Sequence, residues 1–240
     1  MPECIHGLEV PLCDACYPKA VVEKPKVTRP SSPRSARVAG VNTTRKAINL
    51  SQQRVYHITH IDNLESILDA GAISAGVTPN VDLSTPLTRE LRQTAEISPG
   101  ESVADHVPFY LVPTASLWED LRTGAADETR WSAQARASTA SDFVFLVTTV
   151  AALGEGAVIT DGDAAATLTR FASGDQLGRM LERLHDTDTA AGAEALAKGP
   201  VPFDAIQLVG VANDRVRDRV RGFTATKVAV YPPWFQPVEG

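Results

Sequence analysis

The 240-residue chain predicts an α+β fold, and three observations support this prediction. Short strand-like segments mix irregularly with short amphipathic helices, whereas a parallel α/β protein alternates them regularly. Residues 142–150 contain a continuous apolar run over residues 143–147, which is typical of a buried central strand. The sequence contains no internal repeat, no phosphate-binding P-loop and no Gly-x-Gly-x-x-Gly fingerprint, so a Rossmann nucleotide-binding domain is excluded.

The first predicted elements are a strand and a helix that follow each other directly. We expect the folded domain to begin near Ala47, with strand-type residues from Val55 onward. Apolar residues then recur at three- and four-residue spacing from Ile61 to Leu68, which indicates one face of a helix. Gly71 supplies the residue type that commonly ends a helix.

The remaining elements are short. Further strands are predicted over residues 107–112, 142–150, 157–160, 205–211 and 227–230. Further helices are predicted over residues 87–94, 116–122, 162–171, 176–184 and 213–220. A polar loop over residues 185–192 comes directly before Glu194.

Residues 1–18 hold all three cysteines of the chain. Together with a histidine they form the pattern Cys4-x-His6-x6-Cys13-x2-Cys16, the Cys₃His set of a tetrahedral structural zinc site. Because this segment has few apolar residues, a metal ion would replace the core that it lacks. Free or redox-active cysteines are the alternative, although no βαβ pattern surrounds the Cys-x-x-Cys pair.

Residues 19–46 are rich in proline, serine and basic residues, which predicts a flexible linker before a folded domain over residues 47–240. This linker carries a net charge of +7, although the whole chain carries −6. A basic arm on an acidic protein can hold a polyanion through clustered phosphate contacts, but a solvated linker explains the same charge. No apolar run approaches the roughly 18 residues of a membrane span, and no secretory signal is evident, so we expect a soluble cytoplasmic protein.

Three stretches of the sequence combine strand or helix patterns with polar residues. The first is residues 56–71, Tyr-His-Ile-Thr-His-Ile-Asp-Asn-Leu and onward. The second is residues 103–111, preceded by Arg92, and the third is residues 193–206 around Glu194. In this order they resemble blocks of the DarT family, toxins that use NAD to ADP-ribosylate bases in single-stranded DNA. A weaker similarity covers residues 160–165.

The resemblance implies an ADP-ribosyltransferase fold of two small packed β-sheets with flanking helices and NAD in the cleft between them. It implies a nucleobase in single-stranded DNA as acceptor, and a macrodomain antitoxin that removes ADP-ribose as partner. Two alternatives remain open: a relative that modifies RNA or protein with the same NAD chemistry, and a non-catalytic, zinc-anchored nucleic-acid-binding protein.

Glu194 is the predicted catalytic carboxylate. Breaking the nicotinamide–ribose bond passes through a cationic transition state, which a carboxylate can stabilise while it also accepts a proton from the attacking base. An ordinary exposed helix residue is the competing interpretation of Glu194. The resemblance assigns the essential arginine to Arg92, whose guanidinium suits a diphosphate, with Arg89 as the rival.

The resemblance also implies residues that contact NAD. His57 is expected to contact the nucleotide or its ribose, because a neutral imidazole donates one hydrogen bond and accepts another. Thr59 and Asn63 are candidate helpers, and Tyr110 could stack on nicotinamide or be a plain core residue. His60 is expected to play a structural part only.

Overall fold

The structure is a computed structural model that describes residues 48–236. In this range the chain forms six α-helices and twelve strands. The helices are α1 Leu64–Ala70, α2 Pro86–Thr94, α3 Ser116–Arg122, α4 Ala133–Ala137, α5 Leu177–Asp186 and α6 Asp214–Arg221. The strands are β1 Arg54–His60, β2 Ala72–Ile73, β3 Glu96–Ser98, β4 Glu101–Ser102, β5 His106–Tyr110, β6 Phe143–Thr149, β7 Val158–Thr160, β8 Phe171–Ser173, β9 Glu194–Lys198, β10 Val201–Pro202, β11 Leu208–Val211 and β12 Val228–Val230.

Eight of these strands form one sheet in the order β12-β11-β6-β1-β5-β9-β7-β8. Neighbouring strands run antiparallel, except that β11 and β12 are parallel. β1 pairs with β6 through seven residues and β5 pairs with β9 through five, but β1 and β5 meet only at Tyr56 and Tyr110. The prediction of an α+β fold is confirmed. The expectation of two separate packed sheets is wrong. The pairing of Tyr56 with Tyr110 joins two four-stranded halves into one sheet.

The predicted central strand is confirmed as β6, in which all seven residues are buried. Its alternate side chains enter two different cores, because helices and loops cover both faces of the sheet. Val144 and Leu146 pack into an aliphatic core. Phe143 and Phe145 pack into an aromatic core around Trp118, with ring centroids 5.3 and 5.4 Å from the Trp118 ring.

The predicted helix over residues 162–171 is wrong. These residues form turns that lead into β8. Side chains within the segment bond to its own backbone: Asp163 Oδ1 accepts from Ala165 N at 2.9 Å, and Thr169 Oγ1 donates to Asp163 O at 2.6 Å. Such local bonds offer the backbone an alternative to helical hydrogen bonding. The sequence prediction also missed α4, β8 and the short pairings β2–β10 and β3–β4.

The predicted zinc ligands Cys4, His6, Cys13 and Cys16, and the basic segment over residues 19–46, lie outside the described residues. Within residues 48–236 no group of three or more His, Cys, Asp or Glu side chains is arranged to hold a metal ion. Over the same range, no helix has both the length and the apolar composition needed to cross a membrane.

Candidate active site

Glu194 is the first residue of β9 and lies buried, with 3% of its surface exposed. Its backbone N donates to Thr160 Oγ1 at 2.8 Å, and its strand partner on β5 is Tyr110. These contacts fix the start of β9 in the interior of the sheet. The competing interpretation, an ordinary exposed helix residue, is therefore wrong.

Both carboxylate oxygens of Glu194 are hydrogen-bonded. Oε2 accepts from Arg92 Nη1 at 3.1 Å, and Oε1 accepts from the backbone N of Ala164 at 2.9 Å. The Arg92 side chain is 16% exposed and that of Glu194 is 4% exposed, so little water screens this ion pair. Arg92 Nη2 is buried without a hydrogen-bond partner in the structure. A buried unpaired donor is costly, so this nitrogen suits the binding of an acceptor atom from a ligand.

The structure distinguishes Arg92 from its rival Arg89. Thr85 caps the N-terminus of α2, with Pro86 in the first turn, so both arginines lie on one short, well-started helix. Arg89 bonds to Asp82 and is 47% exposed on its side chain, whereas only Arg92 of the two bonds to Glu194. The geometry therefore places Arg92 at the carboxylate.

A cavity of about 390 Å³ opens beside Glu194. Its lining comes from β5, from α3, from the segment between α3 and α4, and from the turns before β8 and β9; it includes Tyr110, Ser116, Asp120, Arg130, Asp163 and Ala191. Ala191 and Gly192 belong to the predicted loop over residues 185–192, so this loop reaches the cavity. The cavity has the size of a small-molecule site.

Tyr110 lies where the two halves of the sheet meet, directly across from Glu194. Burial and the nearby Glu194 carboxylate both raise the pKa of Tyr110 above its ordinary value. The phenol therefore stays protonated at neutral pH and can donate a hydrogen bond into the cavity that it lines.

His57 on β1 is half-buried, and its ring lies 5.5 Å from that of Phe109. Its Nδ1 lies 2.8 Å from the carbonyl oxygen of Pro108, so Nδ1 carries the proton and Nε2 is free to accept. Burial lowers the pKa of His57, and the bond to Pro108 only partly opposes this shift. The imidazole is therefore neutral at pH 7, as the predicted ribose contact requires.

We expect the stability that the neutral His57 contributes to be lost as the pH falls. The unfolded chain binds a proton near the ordinary histidine pKa of about 6.5, while the folded chain binds it only at lower pH. The free energy of unfolding should therefore decrease as the pH is lowered from the unfolded-state pKa to the folded-state pKa. Urea unfolding of the native chain and of His57→Gln at about pH 7.5 and about pH 5.5 tests this. The amount by which the free energy of unfolding of the native chain exceeds that of His57→Gln should shrink at the lower pH.

Thr59 and Asn63 are both buried and bond to each other. Asn63 Nδ2 donates to Thr59 Oγ1 at 3.1 Å and to Val81 O at 2.8 Å, while Asn63 Oδ1 accepts from Val81 N at 2.7 Å. The amide thus anchors the loop before α2, and its expected contact with NAD stays a prediction. His60 has the structural part expected of it, because its Nδ1 accepts from Asp62 N at 3.2 Å and caps the following turn.

Sequence reasoning missed three groups around Glu194. Thr160 fixes its backbone, the Ala164 N–H bonds to its carboxylate, and Arg130 bonds to Asp163 in the same turn as Ala164. The weak family similarity over residues 160–165 was the one signal that pointed to this turn. It did not show that a backbone N–H would be the contacting group, because no side-chain pattern encodes such a contact.

Comparisons with known proteins place this chain in a class of DNA-modifying ADP-ribosyltransferases. The model of the family described as ssDNA thymidine ADP-ribosyltransferase, DarT, matches residues 56–236. The chain is 30% identical over 194 residues to the DNA ADP-ribosyl transferase of Mycobacterium tuberculosis, covering 70% of this chain and 80% of the relative. A Thermus sp. DNA ADP-ribosyl transferase is 36% identical over 78 residues, which are 30% of this chain and 37% of the relative. The chain belongs to the DarT family.

Solved structures share the fold. Thermus sp. 2.9 DarT in complex with ADP-ribosylated ssDNA aligns with a TM-score of 0.65 and 23% identity, covering 77% of this chain and 96% of that one. The same protein in complex with NAD⁺ aligns with a TM-score of 0.62 and 23% identity, covering 77% of this chain and 98% of that one. Thermosipho africanus DarTG in complex with ADP-ribose aligns with a TM-score of 0.60 and 18% identity, covering 76% of this chain and 51% of that one.

Proposed function

We propose that this protein transfers ADP-ribose from NAD to a nucleobase of single-stranded DNA. The observation that carries the proposal is the ion pair between the buried Glu194 and the partly buried Arg92, beside the cavity. The pair places a negative charge and an unused guanidinium N–H at one point, which suits a cationic ribose and an anionic diphosphate in the same substrate. Family membership and the relatives that act on DNA support the same assignment.

In the proposed reaction the bond between nicotinamide and ribose C1 breaks, and nicotinamide leaves with the electron pair. The positive charge that develops on the ribose is stabilised by the Glu194 carboxylate. A ring nitrogen or other nucleophile of the base then bonds to C1 and loses its proton, which Glu194 is placed to accept. A single-stranded base avoids the unstacking cost of a few kcal/mol that extraction from a duplex requires.

NAD binding would fall to Arg92, His57, Tyr110, Thr59 and Asn63. Arg92 would contact the diphosphate or the nicotinamide ribose through Nη2, and His57 would accept a ribose hydroxyl through Nε2. Tyr110 would donate from its protonated phenol or lie against nicotinamide. Thr59 and Asn63 act either on NAD directly or by holding the loop at Val81.

The acceptor is tested by exchanging substrates. Thymidine-containing DNA oligonucleotides, guanine-containing ones, matched RNA and a protein mixture would each be incubated with NAD labelled in its adenylate part. We expect label on single-stranded DNA, in keeping with the Thermus neighbour that is in complex with ADP-ribosylated ssDNA. Label on RNA or protein instead would establish the alternative acceptor. Label on no acceptor, without NAD cleavage, would favour the non-catalytic nucleic-acid-binding protein.

We also propose that the protein is a cytoplasmic toxin with a macrodomain antitoxin that removes ADP-ribose from DNA. This chain aligns with only half of the Thermosipho africanus DarTG chain, which is in complex with ADP-ribose. The other half of that chain supports the proposal of a second protein that acts on ADP-ribose together with this one. Induced expression in bacteria should stop growth. Co-expression of a DNA-directed ADP-ribosyl hydrolase should restore growth if base modification is the cause.

The segment over residues 1–18 is proposed to bind one zinc ion through Cys4, His6, Cys13 and Cys16. Elemental analysis of the purified chain should give one zinc per molecule, and Cys13→Ser should lower that ratio without unfolding the domain over residues 47–240. The absence of stoichiometric zinc in the native chain would contradict the proposal. If zinc is bound, the zinc segment and the basic arm over residues 19–46 would serve as an added anchor for DNA or for a protein partner.

A further inference from the structure

A second ion pair lies beside the cavity, between Arg130 and Asp163. Their side chains are 41% and 20% exposed, and neither residue belongs to the predicted site. We propose that the Arg130–Asp163 pair is a positioning device that holds the Glu194 carboxylate and the helix bearing Arg92 in register. The inference rests on the proposed function of Glu194 and Arg92.

Asp163 connects the pair to Glu194. Its Oδ1 accepts from Ala165 N at 2.9 Å, and its carbonyl oxygen accepts from Thr169 Oγ1 at 2.6 Å, so this one residue orders the turn that contains it. The next residue in that turn, Ala164, is fully buried and donates its N–H to Glu194 Oε1. The position of the turn therefore sets the direction from which one carboxylate oxygen is held.

Arg130 connects the same turn to α2. Its side chain bonds to Asp163 Oδ2, while its carbonyl oxygen accepts from Thr85 N at 3.2 Å and from Thr88 Oγ1 at 3.0 Å. Thr85 is the N-cap of α2, and no residue of α2 is fully buried. Since apolar burial contributes little here, these polar bonds fix the first turn of the helix that carries Arg92.

The two connections meet in a single residue, because Arg130 contacts α2 through its backbone and the Ala164 turn through its side chain. A partly exposed ion pair contributes little to the free energy of unfolding. Its loss should therefore alter alignment more than folding. A misplacement of about 1 Å at a reacting group can cost on the order of 100-fold in rate.

The first test needs no substrate. Amide hydrogen exchange at Ala164 would be measured by NMR in the native chain, Arg130→Gln, Asp163→Asn and the double variant. We expect faster exchange in both single variants and no further increase in the double variant. The control is Arg183→Gln, which removes an exposed pair with Asp161 at 3.4 Å and should leave Ala164 unchanged. Unchanged exchange at Ala164 in both single variants would overturn the inference.

The second test is kinetic. In Arg130→Gln and Asp163→Asn, kcat for NAD cleavage and kcat for base modification should fall together by about 10-fold to 100-fold. KM for the oligonucleotide should change little, and Arg130→Lys should recover part of kcat because it keeps the charge opposite Asp163. A rise in oligonucleotide KM confined to Arg130→Gln would instead make Arg130 a direct DNA contact and refute a positioning role. If the native chain shows no turnover, the proposed function fails, while the exchange experiment still decides this inference.

Discussion

Glu194→Gln is expected to reduce ADP-ribose transfer by about 100-fold to 1,000-fold, the range seen when one electrostatic contact to a transition state is removed. Glutamine keeps the size and reach of the side chain but lacks the negative charge. Because that charge acts mainly on the ribose cation that forms during reaction, NAD affinity should remain largely intact. Mass spectrometry of a single-stranded oligonucleotide gives the transfer rate, and calorimetry gives the affinity.

This substitution also has a structural consequence that must be measured. Both Glu194 oxygens accept hydrogen bonds, so the amide nitrogen of glutamine would face either Arg92 or the Ala164 N–H, donor against donor. The free energy of unfolding should fall by about 1–3 kcal/mol. The matched control is Glu90→Gln on the exposed side of α2, which should keep both stability and transfer. Equal DNA labelling by Glu194→Gln and the native chain would contradict the mechanism.

Arg92→Ala is expected to weaken NAD binding, transfer and folding together. The substitution leaves the Glu194 carboxylate buried without its charged partner, and breaking a buried ion pair in this way costs about 3–5 kcal/mol when both groups are fully buried. The partial exposure of Arg92 places the expected loss at the lower end of that range. NAD affinity should drop by roughly 1–3 kcal/mol, because a contact to a charged ligand is removed. Chemical denaturation and calorimetric titration with NAD measure the two effects.

Arg89→Ala is the matched control, three residues away on the same helix. Its pair with Asp82 is exposed, so its loss should cost at most about 1 kcal/mol of stability. If Arg89→Ala abolished activity while Arg92→Ala did not, the assignment of the arginine would be wrong.

The sequence predicts the elements with strong apolar patterns. β6 is a run of apolar residues buried on both faces, and α3 and α5 have apolar positions at helical spacing, so local pattern and tertiary burial agree. The helix predicted over residues 162–171 failed because Asp163 and Thr169 bond to nearby backbone groups and stabilise turns instead.

The candidate site residues came from similarity to a family rather than from physical pattern. The structure brings together Glu194, Arg92 and Tyr110, which are far apart in sequence. It gives Asn63 a loop-anchoring contact that its position in a motif did not reveal. The Ala164 N–H and the link through Arg130 could not be predicted, since a backbone donor has no signature in side-chain identity and an ion pair between distant residues depends on the fold.

The most direct test of the proposed function is mass spectrometry of a single-stranded DNA oligonucleotide after incubation with the purified chain and NAD. We predict an increase equal to the mass of one ADP-ribose, located on a base by fragmentation, together with release of one nicotinamide per modified strand. Duplex DNA of the same sequence should be modified much less. An unmodified oligonucleotide and intact NAD, with folded native protein present throughout, would contradict the account.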